Sequence, residues 1–436
     1  MIRGLRLEWK KEKSLLHGGL KRPLLPEKVT VRLQGSEGIP PAEPCVVPGD
    51  QVRTGQIIAK AASPQGVFVH ASLSGSVTAV DYFQDAYGKP ALSVEIHSDG
   101  RDSRLEEIGR ERKNWETLEP AGLQNIFRAS GLVGLGGAMK PVHVKTQSAS
   151  CGVDQGTLVV NACESEPYVT CDYGLGMAHP LEVLKGAELL RRASGRARIA
   201  FAVQKNALDL AEVLKSKIFF LKWPHTEVRV LEALYPMGDE RLLVRELGRK
   251  PRRPPQDFTV FNLATAFAVY EAVVLQKPLY ERVVTVSGEC VIEPRNFWAR
   301  LGTPFRHLVK SAKGFMREPG KLVMGGPMKG IAQKDWEAFV LPGTQALLAL
   351  PEELVKRGPE EPCIRCGRCL EVCPAEISPA MITQALEKNF YSAARDYGLD
   401  ECLECGNCAF ICPSNRPMME LITSGLAGKD PVYENR

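Results

Sequence analysis

No apolar run in the 436-residue chain approaches the ~18 residues that a membrane-spanning helix needs, which excludes an integral membrane protein of the helical kind. The opening residues Met1-Ile2-Arg3-Gly4 lack the apolar stretch of a secretory signal, so no export is expected. Charge of one sign is scarce as well. The 56 Lys and Arg against 51 Asp and Glu leave a net charge of +5, too weak to suggest a nucleic-acid binder. Disorder is excluded by composition, with 44% hydrophobic and 25% charged residues. At roughly 150 residues per domain the length suggests about three domains, or four if some are small.

Cysteine is present in quantity and unevenly placed. Eight of the 13 cysteines form two runs, Cys363-x2-Cys366-x2-Cys369-x3-Cys373-Pro374 and Cys402-x2-Cys405-x2-Cys408-x3-Cys412-Pro413. Each run has the spacing that wraps a [4Fe-4S] cubane: three close thiolates bind three irons, and the fourth, ahead of a proline, ligates the other cluster. The expected sets are therefore Cys363, Cys366, Cys369 and Cys412 for one cluster, and Cys402, Cys405, Cys408 and Cys373 for the other. A disulfide framework suits a small secreted protein, and zinc knuckles use separated Cys-x2-Cys pairs or histidines. Gly367 and Gly406 sit where the chain must turn tightly around the inorganic core. The linker from Pro374 to Glu401 has room for two helices, the first starting at Pro379. Two clusters in one module make an electron conduit in a reducing compartment. Cys45, Cys151, Cys163, Cys171 and Cys290 lack ligand spacing and read as free buried thiols.

The rest of the chain reads as a multidomain α/β protein. Residues 1–100 are β-rich, with turn-and-strand units at Val47–Ile58 and Val69–Val80. They resemble the halves of the barrel-sandwich fold of biotinyl and lipoyl carriers. The matching hairpin tip, Ala71-Ser72-Leu73-Ser74-Gly75, has no lysine, which points to a structural or docking module. The charged stretch 101–118, which opens with Arg101–Arg110, is expected to form a connecting helix. Residues 119–276 read as a Rossmann-like α/β domain with buried strands at Thr157–Asn161 and Arg198–Val203 and helical periodicity at Leu181–Leu190. The basic, proline-rich stretch 249–255 is expected to be a solvated loop or a docking surface. Residues 281–345 look like a small β-grasp domain, with a strand at Arg282–Ser287, a helix from Phe305 and a glycine-rich segment at 321–330. A helical double-cluster module occupies 351–430.

The α/β domain opens with Gly131-Leu132-Val133-Gly134-Leu135-Gly136-Gly137-Ala138-Met139-Lys140-Pro141. Successive glycines can aim backbone N–H groups at a phosphate. The stretch fits neither the G-x-G-x-x-G dinucleotide fingerprint nor a nucleotide-hydrolysing loop, so alone it is equally compatible with a structural turn. Lys145 could pair with a phosphate or a flavin carbonyl. Asn161, Glu164 and Glu166 follow a buried strand, at the end where open α/β sheets bind ligands. A flavin fits the clusters chemically, because it takes a hydride pair and releases single electrons.

At His17-Gly18-Gly19, Gly134–Ala138, Pro141–Lys145, Asn161–Tyr168, Tyr235–Glu240, Asn262–Ala266 and both cysteine runs, the chain resembles the C subunits of the Rnf/Rsx membrane electron-transport complexes. It is similar, more distantly, to the NADH-binding flavoprotein subunit of respiratory complex I. The resemblance implies an NADH-oxidising translocase subunit that passes electrons between NADH and the rest of a membrane complex, or ferredoxin, through FMN and the two clusters. It implies a peripheral place on the cytoplasmic face of the cell membrane. Carried over, Gly134, Gly136, Gly137 and Lys145 would hold FMN, and Asn161, Glu164, Asn262 and Thr265 would complete its pocket. Glu166 would face the nicotinamide ribose, with Tyr235, Gly238 and Glu240 near the dinucleotide. Such proteins usually carry Gly-Phe or Thr-Phe where this chain has Met139-Lys140, and Ala162–Pro167 is nearer the complex I form. Two alternatives stay open: a relay subunit without nucleotide binding, favoured by Lys140, and a soluble reductase similar to those that reduce cobalamin, disfavoured by the module order.

Overall fold

The computed structural model describes residues 3–7, 19–33, 38–150, 156–248, 257–334, 336–355 and 358–428. His17-Gly18, Cys151 and the basic stretch 249–255 lie outside the described residues. Near the N-terminus a four-stranded antiparallel sheet runs in the order Lys28–Arg32, Pro90–Ser98, Gly75–Gln84, Gln51–Val52. It faces a three-stranded sheet of Glu43–Pro44, Ile57–Lys60 and Val69–His70. Alternation sends Val29, Val31, Val77, Val94 and Ile96 inward, and Val31 stands opposite Val94 in register. The hairpin tip is not presented to solvent. Ala71, Ser72, Leu73 and Ser74 are fully buried, and the Ser72 hydroxyl donates to the Leu301 carbonyl at 2.6 Å.

The helix expected from Arg101 does not form. The segment is a set of turns ending in a short 3-10 turn at Trp115–Thr117. Left-handed residues at Asp102, Gly109 and Asn114 break any helical run. The Asp102 carboxylate is taken up by Thr54, Arg104 and Arg300. Tertiary partners thus override a charge pattern that suits an isolated helix.

The central domain is a parallel four-stranded sheet in the order Thr226–Leu231, Arg198–Gln204, Thr157–Ala162, Phe258–Asn262. Leu158–Val160 and Ile199–Val203 are buried throughout, because helices cover both faces. The helix Pro180–Ala193 starts at a proline, and Leu263–Val273 is capped by Asn262, whose side chain accepts from the Ala264 amide. Register sets Asn161 beside Asn262, so both polar side chains arrive at the carboxyl edge of the sheet.

A mixed six-stranded sheet follows, in the order Leu20–Lys21, Arg295–Arg300, Glu281–Ser287, Ala346–Leu350, Lys321–Met324, Ile331–Gln333, with the helix Phe305–Ser311 against it. It reaches beyond the expected 281–345 segment at both ends. Leu20–Lys21 joins from the N-terminal region, and Ala346–Leu350 pairs in parallel with Glu281–Ser287. The C-terminal module is helical. Its linker carries helices at Pro379–Leu386 and Tyr391–Asp396, packed with Met418–Leu426 over Ile382, Leu386 and Ile422. Gly367 and Gly406, both at φ 78°, turn the two cysteine loops into matching short helices, Arg368–Glu371 and Asn407–Phe410. Among the described residues no helix is long and apolar enough to cross a membrane.

Candidate flavin and iron–sulfur sites

The glycine loop is pinned at several points. The Gly134 amide donates to Lys140 O at 2.9 Å and closes the loop on itself. The Leu135 amide donates to the buried Thr265 hydroxyl at 2.9 Å, tying the loop to the first turn of a helix. Below it the buried guanidinium of Arg282 donates to the Leu135 carbonyl at 2.9 Å and also to that of Pro342. With its base fixed, the crest of the loop is exposed at Gly136, Ala138 and Lys140. Gly137 has φ 115°, a backbone state that only glycine takes readily, and a Cβ there would point into open space. Met139, also left-handed, turns inward and is buried, while Lys140 faces out.

The other expected residues ring this loop, with their polar atoms largely engaged. The Lys145 ammonium pairs with both carboxylate oxygens of Glu240, at 2.9 and 3.1 Å, and sits 5.4 Å from the centre of the Phe261 ring. Asn161 donates to Gly238 O at 2.8 Å and accepts from the Cys163 amide at 3.0 Å. Glu164 is buried and accepts from the amides of Asp172 and Tyr173, so it caps the helix Cys171–Ala178. Asn262 donates to Asp172 at 2.5 Å, and Gly136 packs against Asn262 so closely that a Cβ there would stand 3.2 Å away. Asn161, Glu164, Asn262 and Thr265 thus form a preorganised frame under an exposed glycine crest, a cradle that fits a phosphate-bearing flavin.

Glu166 and Tyr235 point elsewhere. The Glu166 carboxylate accepts from the amides of Met328 at 3.0 Å and Lys329 at 2.9 Å, and burial raises its pKa against the pull of those donors. The buried Tyr235 hydroxyl donates to the Cys405 carbonyl at 2.8 Å and lies 3.5 Å from Glu166. Tyr235 faces the cysteine module, and Glu166 holds the Met328–Lys329 loop, whose Lys329 reaches it at Leu403 O. Arg282, Asp172, Arg241 and Lys329 were missed from sequence. Arg282 alone left a trace, as a charge inside an otherwise apolar strand.

The cysteines gather in two sets. Cys363, Cys366, Cys369 and Cys412 line one cavity of about 420 Å³, a donor set of four thiols around a space that suits a cubane. Cys373 stands among the second run. Burial raises the pKa of Cys402, Cys405 and Cys408, that of Cys405 to about 11, and the thiol of Cys373 adds to the rise in all three. All described cysteines are free. Cys163, Cys171 and Cys290 are buried, whereas Cys45 is exposed, against the expectation for it, at the edge of a two-residue strand.

Four family models match in chain order: the RnfC barrel sandwich hybrid domain over residues 1–101, the Nuo51 FMN-binding domain over 127–271, the SLBB domain over 283–332 and the 4Fe-4S dicluster domain over 356–413. The C subunit of the proton-translocating ferredoxin:NAD(+) oxidoreductase complex of Clostridium ljungdahlii is 34% identical, over 85% of this chain and 81% of its own. The C subunit of the ion-translocating oxidoreductase complex of Rhodobacter capsulatus is 36% identical, over 87% and 74%. The Na(+)-translocating counterpart of Acetobacterium woodii is 32% identical, over 84% and 83%. Among solved structures, an NAD+-reducing [NiFe]-hydrogenase in the air-oxidized state aligns with a TM-score of 0.50 at 18% identity, over 64% of this chain. This chain spans about half of that one, at 53%, and the likeness is one of fold.

Proposed function

The chain belongs to the family of C subunits of ion-translocating ferredoxin:NAD+ oxidoreductase complexes, and from that premise we propose that it is the peripheral electron-input subunit, moving electrons between NADH and its partner subunits. FMN, where bound, supplies the exchange between hydride pairs and single electrons. We assign the backbone of Gly134, Gly136 and Gly137 and the ammonium of Lys145 to holding FMN. Asn161, Glu164, Asn262 and Thr265 keep that pocket in shape through the bonds they make to backbone and, for Asn262, to the Asp172 carboxylate. Gly238 and the exposed Glu240 stand at the same edge of the sheet and are our candidates for the dinucleotide side.

We read the central sheet as Rossmann-like and the mixed sheet as a β-grasp. We place the modules at 1–100, 119–276, 281–345 (with Ala346–Leu350 closing its sheet) and 351–430. The cytoplasmic face of the membrane follows from this reading, with docking through protein contacts.

One observation carries the proposal: the loop of the second cysteine run is bonded directly to the domain with the glycine loop, through Tyr235 and Arg241. The cluster of Cys402, Cys405, Cys408 and Cys373 is therefore the inner one. The other set opens outward, with Cys366 and Ile364 exposed, as a contact for an external redox partner requires. The relay reading is favoured by Lys140, which is exposed where relatives of the resembled type carry an aromatic.

An anaerobic NADH titration of the FMN-loaded protein, followed by visible absorbance, decides between them. Bleaching of the flavin band and the broad cluster band is expected. Bleaching by dithionite but not by NADH would replace the proposal with the relay reading.

A further inference from the structure

The two cysteine runs have identical spacing, yet their surroundings differ. The carbonyls around the inner set are met by side chains from outside the module. Arg241 donates to Cys402 O at 2.8 Å, Lys329 to Leu403 O at 3.1 Å and Tyr235 to Cys405 O at 2.8 Å. Arg245 donates to Pro374 O at 2.9 Å, next to the fourth ligand, Cys373. Three of these donors are cations, and each lies within one residue of a thiolate ligand. At the first run a single cation from outside the module is placed in the same way: the guanidinium of Arg3 donates to Leu370 O at 3.1 Å, next to Cys369, against three such cations at the inner set among the described residues.

A reduced cluster carries one more negative charge than an oxidised one. Cations and donor dipoles fixed at its edge favour the reduced form, and hydrogen bonding and local charge are among the properties that set cluster potentials. The donors do not come from one place. Tyr235, Arg241 and Arg245 belong to the α/β domain, Lys329 to the loop beside the mixed sheet. That loop is gripped in turn by Glu166, which accepts from the Lys329 amide and lies against the Tyr235 hydroxyl.

We propose that Tyr235, Arg241, Arg245 and Lys329 form a donor collar that raises the reduction potential of the inner cluster, with Glu166 as the residue that positions two of its members. These are positioning residues: they act on the cluster through the peptide groups beside its ligands. The collar makes the inner cluster an electron acceptor suited to its flavin-side neighbour. It gives two clusters of like spacing distinct potentials by means of residues that no cysteine motif reveals. The proposal rests on the assignment of these thiols to two clusters and is independent of whether NADH is the donor.

The test is an EPR-monitored redox titration of the reconstituted holoprotein and of the variants Tyr235→Phe, Arg241→Gln and the double variant Arg241→Gln/Lys329→Gln. Iron and acid-labile sulfide are counted first, with about eight irons per chain expected from two [4Fe-4S] clusters. One of two cluster signals should move to lower potential in each variant, and the other should stay. For the double variant the reduction equilibrium should fall by roughly tenfold, about 59 mV for one electron. Arg241→Gln is a surface change and carries the test if Tyr235→Phe loses iron. Midpoints that stay in place, or that move equally for both clusters, would overturn the collar while leaving the functional proposal standing. A wild-type protein without two clusters would overturn the cluster assignment and the collar with it.

Discussion

His70 shows how a single side chain can register solvent conditions. It is buried where the barrel-sandwich module meets the turn at Gly131, close enough that a Cβ on that glycine would come within 3.4 Å of Nδ1. Burial lowers its pKa from 6.5 to about 4, so the folded chain keeps the ring neutral. The unfolded chain takes up a proton below 6.5. Stability from this group is therefore complete above pH 6.5 and is lost as pH falls to about 4, by at most about 3 kcal/mol. Urea midpoints measured across that window should fall with pH in the native chain and flatten in His70→Phe. At this scale the sequence was most legible where chemistry fixes spacing. The eight cysteines stand out because a cubane dictates the intervals between its ligands. Tyr235, Arg241 and Lys329 did not stand out, because what they touch lies far along the chain and no local pattern encodes a contact made by module packing.

Elements were legible where burial is uniform. Thr157–Ala162 and Arg198–Gln204 announce themselves as apolar runs, because a strand covered on both faces has no polar side to alternate with. The stretch 101–118 misled because its charges satisfy a helix pattern in isolation, while in the fold Asp102 serves Thr54 and Arg300. Two-residue strands such as Leu20–Lys21 are too short to carry a period. The glycine loop is a case where element and site coincide, since its shape depends on the start of the helix Leu263–Val273. Thr265→Val removes the acceptor of the buried Leu135 amide and should cost roughly 1–3 kcal/mol. With the loop less firmly held, flavin retention on gel filtration should drop together with the melting temperature, while iron content stays unchanged. A variant that keeps its flavin and its melting temperature would show that the loop does not depend on this bond.

The whole molecule is held at a junction that the sequence did not disclose. Glu281 opens the mixed sheet and is almost completely buried, with Arg22 at 2.9 Å and Lys277 at 2.7 Å. Arg300 lies 3.5 Å from it and reaches across to Asp102 at 2.6 Å, on the segment that leaves the barrel-sandwich module. Burial would raise the Glu281 pKa, but Lys277, Arg300 and Arg22 together pull it down to about 2. Glu281→Gln leaves the buried Lys277 and Arg300 short of a charge and should destabilise the protein by about 3–5 kcal/mol. The loss should appear as a lower thermal midpoint and as faster proteolysis within 101–118, and equal cleavage rates in variant and native chain would argue against the junction. The same region explains the hairpin tip. In carrier domains of this architecture the tip is the part that travels. Here Ala71–Ser74 is sealed against Leu301, so what was an oar in other proteins has become part of the hull. The tip of this module is therefore not a carrier that shuttles between sites. A viscous solvent, which slows any tethered arm, has nothing to grip at this tip, so turnover measured in glycerol or sucrose should show no drag from it.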